Sequence, residues 1–172
     1  MAARKYTPAP ALLGFLMSEP RHGYELYQQY DRQIGRVWQV GRSTLYAELK
    51  RLEEAGQLAC HTEWPENQRP RKVYRLTEAG RKTFFDWLFQ TTRSFHRLRI
   101  EFLTRLFFFR HLEIEGLEAL LAEQKAVLQG QITSLGRKIE STTDEYWRLV
   151  LAFRRGQLQA AVAWLGQCEA SG

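Results

Sequence analysis

The pattern within residues 38–76 limits the fold more than any other part of the chain. Leu45, Leu49 and Leu52 recur at helical spacing and form one apolar stripe, while Arg42, Ser43, Tyr46 and Lys50 fall largely off it. A helix of this kind packs one side and offers the other. Gly56 follows Glu53, Glu54 and Ala55, where glycine most easily takes the left-handed conformation that ends a helix. Residues 58–64 and 72–76 then read as two strands joined by a turn over 65–71. The turn carries Arg69 and Arg71, and Lys72 stands at its exit. A helix, a glycine stop and a basic-tipped hairpin, in that order, are the layout of a winged helix-turn-helix. In such modules one helix enters a groove and a basic loop grips the phosphates beside it. The competing reading of the tip is a solvated, charged loop.

Four spaced blocks point to a family. They are Ala11-Leu12-Leu13-Gly14-Phe15-Leu16; His22-Gly23-Tyr24-Glu25-Leu26; Ser43-Thr44-Leu45-Tyr46 with Leu49, Arg51-Leu52-Glu53 and Gly56; and Arg71-Lys72-Val73-Tyr74-Arg75-Leu76-Thr77-Glu78-Ala79-Gly80-Arg81. Together they resemble the PadR family of transcriptional regulators, of the type with a longer C-terminal domain. The resemblance covers residues 9–90 closely, and the rest only in length and helical character. It implies a dimeric regulator, usually a repressor, released from a near-palindromic operator in double-stranded DNA by a small molecule or another signal. It places Arg42, Ser43, Thr44, Tyr46 and Lys50 on the DNA-reading helix, Tyr24 near its backbone-contacting neighbour, and Arg69, Arg71 and Lys72 on the wing. Members commonly show a serine, often followed by proline, before Gly-Thr-Leu-Tyr-Pro. Here those places hold Gly41, Arg42, Ser43 and Ala47. Gly41 can cap the helix but offers no side-chain acceptor, whereas Ser43 can cap or donate to a phosphate. Arg42 adds a fork suited to phosphate or guanine.

Charge agrees with a polyanionic partner. The formal net charge is +6, unevenly spread: residues 1–112 hold 19 Lys or Arg against 11 Asp or Glu (+8), and residues 113–172 hold 6 against 8 (−2). The basic half is the half with the wing, which predicts salt-sensitive binding to nucleic acid. A hydrophobic fraction of 44% is enough for a packed core. The basic N-terminus is followed by an apolar stretch that is short and broken by Pro8 and Pro10, which is no signal peptide. Phe107, Phe108 and Phe109 form the densest apolar spot but lie between Arg105 and Arg110, far too short a run to span a bilayer. These features predict a cytoplasmic protein without a membrane partner. Cys60 and Cys168 stand alone, with no metal-ligand spacing around them, so neither a disulfide framework nor a metal or other cofactor is expected.

The fold class expected is mainly α with a small β-wing: an N-terminal winged helix-turn-helix over residues 1–90 and a C-terminal helical dimerisation domain over 91–172. Thr77 caps a helix predicted over 78–90, with Phe84, Phe85, Leu88 and Phe89 on its apolar side. Leu98, Phe102, Leu106 and Phe109 predict an amphipathic helix over 97–112. Two long helices follow, over 116–139 and 144–169, with apolar residues at mixed steps of three and four, and they read as partners in an antiparallel or an intersubunit pair. Broad apolar faces with little of their own to cover them favour a homodimer through Trp147, Leu151, Leu158, Val162 and Leu165. A monomeric bundle is the alternative. An apolar effector pocket drawn from Phe107, Phe108, Trp147 or Trp164 competes with the plainer reading of those aromatics as core.

An enzyme is not expected. His22, His61, His96 and His111 are not spaced as ligand or catalytic pairs, and no HExxH, GxSxG or phosphate-binding glycine loop occurs. His22 reads as a turn residue or phosphate contact. The remaining rival is a winged-helix adaptor that binds protein instead of specific DNA.

Overall fold

Leu45, Leu49 and Leu52 are fully buried in the computed structural model, which describes residues 7–64 and 70–170. They lie on α3 (Arg42–Glu54), and their burial sets the rotation of that helix. Each contributes about 1.5–3 kcal/mol of transfer free energy. The chain divides into two units, Met1–Phe89 and Gln90–Gly172.

In the first unit α1 (Ala9–Phe15) packs against α2 (Gly23–Gln33), α3 and α4 (Glu78–Leu88). Leu12, Leu13, Leu26, Phe84 and Leu88, none of them measurably exposed, join the α3 leucines in this core. The sheet has three antiparallel strands in the order β1 (Arg21–His22), β3 (Arg71–Leu76), β2 (Leu58–Glu63). The expected hairpin is present, with Leu58 opposite Leu76 and Glu63 opposite Arg71. Strand β1 is an addition that its two residues could not announce by any period. It pairs Arg21 with Tyr74 and His22 with Val73.

The ends of α3 are set by local chemistry. Gly41 caps its start, and Gly56 (φ 68°) follows its end. There the Gln57 N–H donates to Leu52 O at 2.9 Å and the Gly56 N–H to Glu53 O at 3.0 Å. These two bonds satisfy the last carbonyls of the helix as a Schellman motif does. Thr77 caps α4 as its residue type predicts, accepting from the Gly80 N–H at 3.1 Å, while its hydroxyl donates toward Gly56 O (2.8 Å) and Gln57 O (3.0 Å). The end of α3 and the start of α4 are thereby held together.

In the second unit α5 (Phe95–Arg97) passes through a π-helical turn (Leu98–Phe102) into α6 (Leu103–His111). The sequence period foresaw one helix here, but not the wider turn inside it. Arg105 follows that turn, 1% exposed, with Nη2 3.3 Å from Glu101. Burial lowers its pKa to about 10, and the nearby Glu101 carboxylate opposes that shift. Helices α7 (Leu117–Ser141) and α8 (Glu145–Ala170) then form an antiparallel hairpin: Lys125 pairs with Glu169, and Arg155 approaches Gly136. Leu151, Leu158 and Leu165 of α8 are buried in this unit, where α8 packs on α7. Of the two pairings open for these helices, the antiparallel pair within one chain is the one present. A seven-residue apolar repeat makes a seam, and the short link over 142–144 lets the same chain supply both sides of it. Of the other two residues in the expected set, Val162 is half-buried and Trp147 is exposed. No helix among the described residues is long and apolar enough to cross a membrane.

Two glycines separate close packing from open helix surface. A Cβ on Gly80 would lie 2.1 Å from Gln57 O and 2.8 Å from Leu76 Cδ1, whereas a Cβ on Gly130, midway along α7, meets nothing within 4 Å. Gly80→Ala is expected to lower unfolding stability by about 1–3 kcal/mol and Gly130→Ala to raise it by about 0.5–1 kcal/mol, both read from urea midpoints. Equal responses at the two sites would contradict this packing.

Candidate nucleic-acid interface

With its leucines turned inward, α3 exposes Arg42, Ser43, Thr44, Tyr46 and Lys50. Its N-terminus is open as well. Arg42, Ser43 and Thr44 precede the first intrahelical bond, from Leu45 N–H to Gly41 O at 3.1 Å, and the glycine cap has no side chain to accept from them. A first turn with unspent N–H groups carries partial positive charge and suits an anion such as a phosphate.

Arg42 is held in place by α2. Its guanidinium carbon lies 4.9 Å from the centre of the Tyr27 ring and 5.5 Å from that of Tyr24. At exposed sites such cation–π contacts contribute about 0.5–1 kcal/mol, enough to orient the fork without hiding it. Tyr24 is 52% exposed, and its hydroxyl accepts from Gln28 Nε2 at 2.9 Å. A shallow depression between α2 and α3 is lined by both tyrosines, Gln28, Asp31, Arg32 and Arg42. Tyr27 is the functional candidate that the sequence reading missed, although its position three residues after Tyr24 was a signal that both share one helix face.

Tyr46 lies over the start of α2, where a Cβ on Gly23 would come within 2.8 Å of its ring. Lys50 sits 3.6 Å from Glu54 and Lys72 sits 3.3 Å from Glu53. Exposed pairs of this kind are worth about 0–1 kcal/mol, so a phosphate can displace the carboxylate. The second contact also ties the base of the wing to the end of α3. Arg71 opens β3 on the exposed side, and Trp64, just beyond the end of β2, is 78% exposed. Arg69 and the tip over 65–69 lie outside the described residues. His22 is a β1 residue whose N–H donates to Glu25 at 2.9 Å and whose Nε2 is 3.7 Å from Glu63. Glu63 also faces His61 at 3.4 Å.

The four aromatics named for an effector pocket take different surroundings within the chain. Phe108 is buried, Phe107 stacks on His111, and Trp164 meets Phe102 edge to face at 6.2 Å. Trp147 stands exposed near the start of α8. None of the four lines the cleft between α7, α8 and residues 93–96. Among the described residues no group of His, Cys, Asp and Glu is arranged to hold a metal ion. Cys60 and Cys168 are free thiols whose pKa values burial raises.

Comparison with known proteins matches both units. Residues 12–85 match the family model described as the transcriptional regulator PadR-like family, and residues 98–171 match one described as virulence activator alpha C-term. The negative transcriptional regulator PadR of Bacillus subtilis is 26% identical over 125 residues, which is 73% of this chain and 69% of that protein. A probable transcriptional regulator of Mycobacterium tuberculosis is 28% identical over 78 residues, covering 45% of this chain and 41% of that one. The crystal structure of Bacillus subtilis PadR in complex with operator DNA aligns with a TM-score of 0.49 at 23% identity, covering 95% of this chain and 97% of that one.

Tyr74, which supports the wing from β3, carries a pH signature. Burial, aided by nearby acidic groups, pushes its phenol up to about 12, against an ordinary value of about 10. Between those two values the folded chain holds a proton that the unfolded chain has lost. The contribution is therefore complete below about pH 10 and is lost as pH rises through 12. Urea midpoints should fall across this window, and fall less steeply in Tyr74→Phe. An unchanged slope would remove Tyr74 from the cause.

Proposed function

Because residues 12–85 match the PadR-like family of transcriptional regulators, we propose that the chain is a homodimeric, sequence-specific repressor of that family that binds double-stranded DNA and is released by a small molecule or another signal. The observation that carries this reading is the exposed face of α3. It combines an open helix N-terminus with Arg42, Ser43, Thr44, Tyr46 and Lys50, and it holds Arg42 over Tyr24 and Tyr27. In this reading α3 enters the major groove, where Arg42 takes a guanine edge or an adjacent phosphate. Arg69, Arg71 and Lys72 grip the flanking backbone. Residues 1–90 form the DNA-binding domain and 91–172 the dimerisation domain. Repression follows the sign carried by the Bacillus relative, a negative transcriptional regulator.

The dimer surface proposed here differs from the buried seam of α8. Tyr146, Leu149 and Phe153 are 73%, 66% and 68% exposed, and Trp147 is 49% exposed. Steps of three and four residues put the first three on one face of the helix. Large apolar groups clustered on an exposed face mark an interaction site, and a second copy of the same helix is the partner that a two-fold operator calls for. A signal that alters the spacing of the two reading helices then decides whether both fit one near-palindromic site.

Fluorescence anisotropy against the chain's own promoter region and a scrambled duplex, at two salt concentrations, tests the assignment. Tighter binding to the promoter that weakens with salt is expected; equal, weak binding to both duplexes would favour the adaptor reading. Tyr46→Ala should cost about 1–3 kcal/mol of operator affinity, and Lys50→Ala should reduce the log–log salt slope by about 1. Both variants should remain dimers. Phe153→Glu should sediment as a monomer and lose operator affinity, and a dimer in that variant would remove this face from the interface.

A further inference from the structure

The second unit contains a cleft of about 520 Å³ whose charged lining is entirely basic. Residues 93–96 form one wall, α7 contributes Gln131, Ser134, Leu135 and Lys138, and α8 contributes Arg154, Gln157 and Leu158. We propose that this cleft binds a small oxyanion carrying two or more negative charges, of the kind found in phosphate esters and polycarboxylates.

The wall that carries Arg93 is fastened down. Gln124, fully buried on α7, accepts from the Thr92 N–H and donates to Thr92 O, both at 2.8 Å. One heptad later, Gln131 Nε2 donates to Arg93 O at 2.8 Å. Arg93 thus reaches the cleft from a backbone already ordered, which reduces the entropic cost of engaging a ligand.

Charge balance points the same way. Arg93, Lys138 and Arg154 have no carboxylate within ion-pair distance among the described residues, and no acidic side chain lines the cleft. Three cations around one concavity repel one another until an anion arrives. A singly charged ligand leaves two of them uncompensated, which is why the charge assigned is two or more. The Ser134 hydroxyl and Gln157 amide add neutral hydrogen-bonding groups, while Leu135 and Leu158 offer apolar contact to a short carbon skeleton. The volume lies within the range of small-molecule sites, about 300–1,000 Å³. As the seat of the regulatory signal the cleft rests on the reading above; as an anion site it stands on its own lining.

Isothermal titration of the full chain with sodium pyrophosphate and with citrate, at ionic strength balanced by chloride, tests the proposal. Saturable binding of at least one probe is expected, weakened about tenfold or more in the Lys138→Gln/Arg154→Gln double variant, which loses two charge-assisted bonds. Arg93→Gln serves as a second, single-site variant, and melting curves without anion check that each variant folds. Binding of pyrophosphate alone assigns phosphate esters, binding of citrate alone assigns polycarboxylates, and binding of both assigns the shared charge. Absence of saturable binding by either probe, or equal binding by folded variants, overturns the site. Operator affinity measured without anion is a separate readout: its loss in the unaltered chain defeats the regulator reading while leaving the anion site standing.

Discussion

Burial of the three leucines of α3 is the constraint on which the first unit depends. With Leu45, Leu49 and Leu52 at zero exposure, the helix has one permitted rotation, and the polar residues between them turn outward by geometry. The glycine after the helix then sets where the chain turns. Gln57, just beyond that turn, accepts the Thr77 N–H at 3.2 Å, so the exit of α3 and the entry to α4 are fixed at one point. The hairpin between them has little choice of register, because Leu58 and Leu76 begin and end it as a facing pair.

On the outward side the energies are small and the geometry matters more. Cation–π contacts and exposed ion pairs each contribute no more than about 1 kcal/mol, too little to decide the fold. What they do is choose among side-chain positions. Arg42 is kept beside α2 by Tyr24 and Tyr27, and Lys72 is kept beside the end of α3 by Glu53. A surface organised by weak contacts can exchange them for phosphates without unfolding anything beneath it.

The second unit follows a different economy. Its two long helices satisfy most of their apolar seam against each other, with Leu128, Leu158 and Leu165 among the residues buried. The polar side chain of Gln124 is buried too, its amide bonded at both ends to the backbone of Thr92. Two features remain unaccounted for by that packing: the exposed aromatic stripe at the start of α8 and the basic cleft. Both are surplus to the fold of the unit, and so are free to serve a partner or a ligand.

The residue spacing along the chain was sufficient to locate α3, the glycine stop, the Thr77 cap, the wing strands and the long helices, because each depends on periods and caps that act within a few residues. It also named the exposed face of α3, since an outward face is the complement of an apolar stripe. Strand β1 escaped because two residues have no period, and its pairing with Tyr74 and Val73 is made across the fold. The choice between the two pairings open for Leu151, Leu158 and Leu165 has a related reason: a heptad stripe records that a helix is covered, not which helix covers it. The position of Arg42 over Tyr27, the burial of Arg105 and the convergence of Arg93, Lys138 and Arg154 were likewise decided only by tertiary structure. Local sequence determines which elements form and which faces they offer, whereas the meeting of residues on different elements depends on how packed elements approach one another in space.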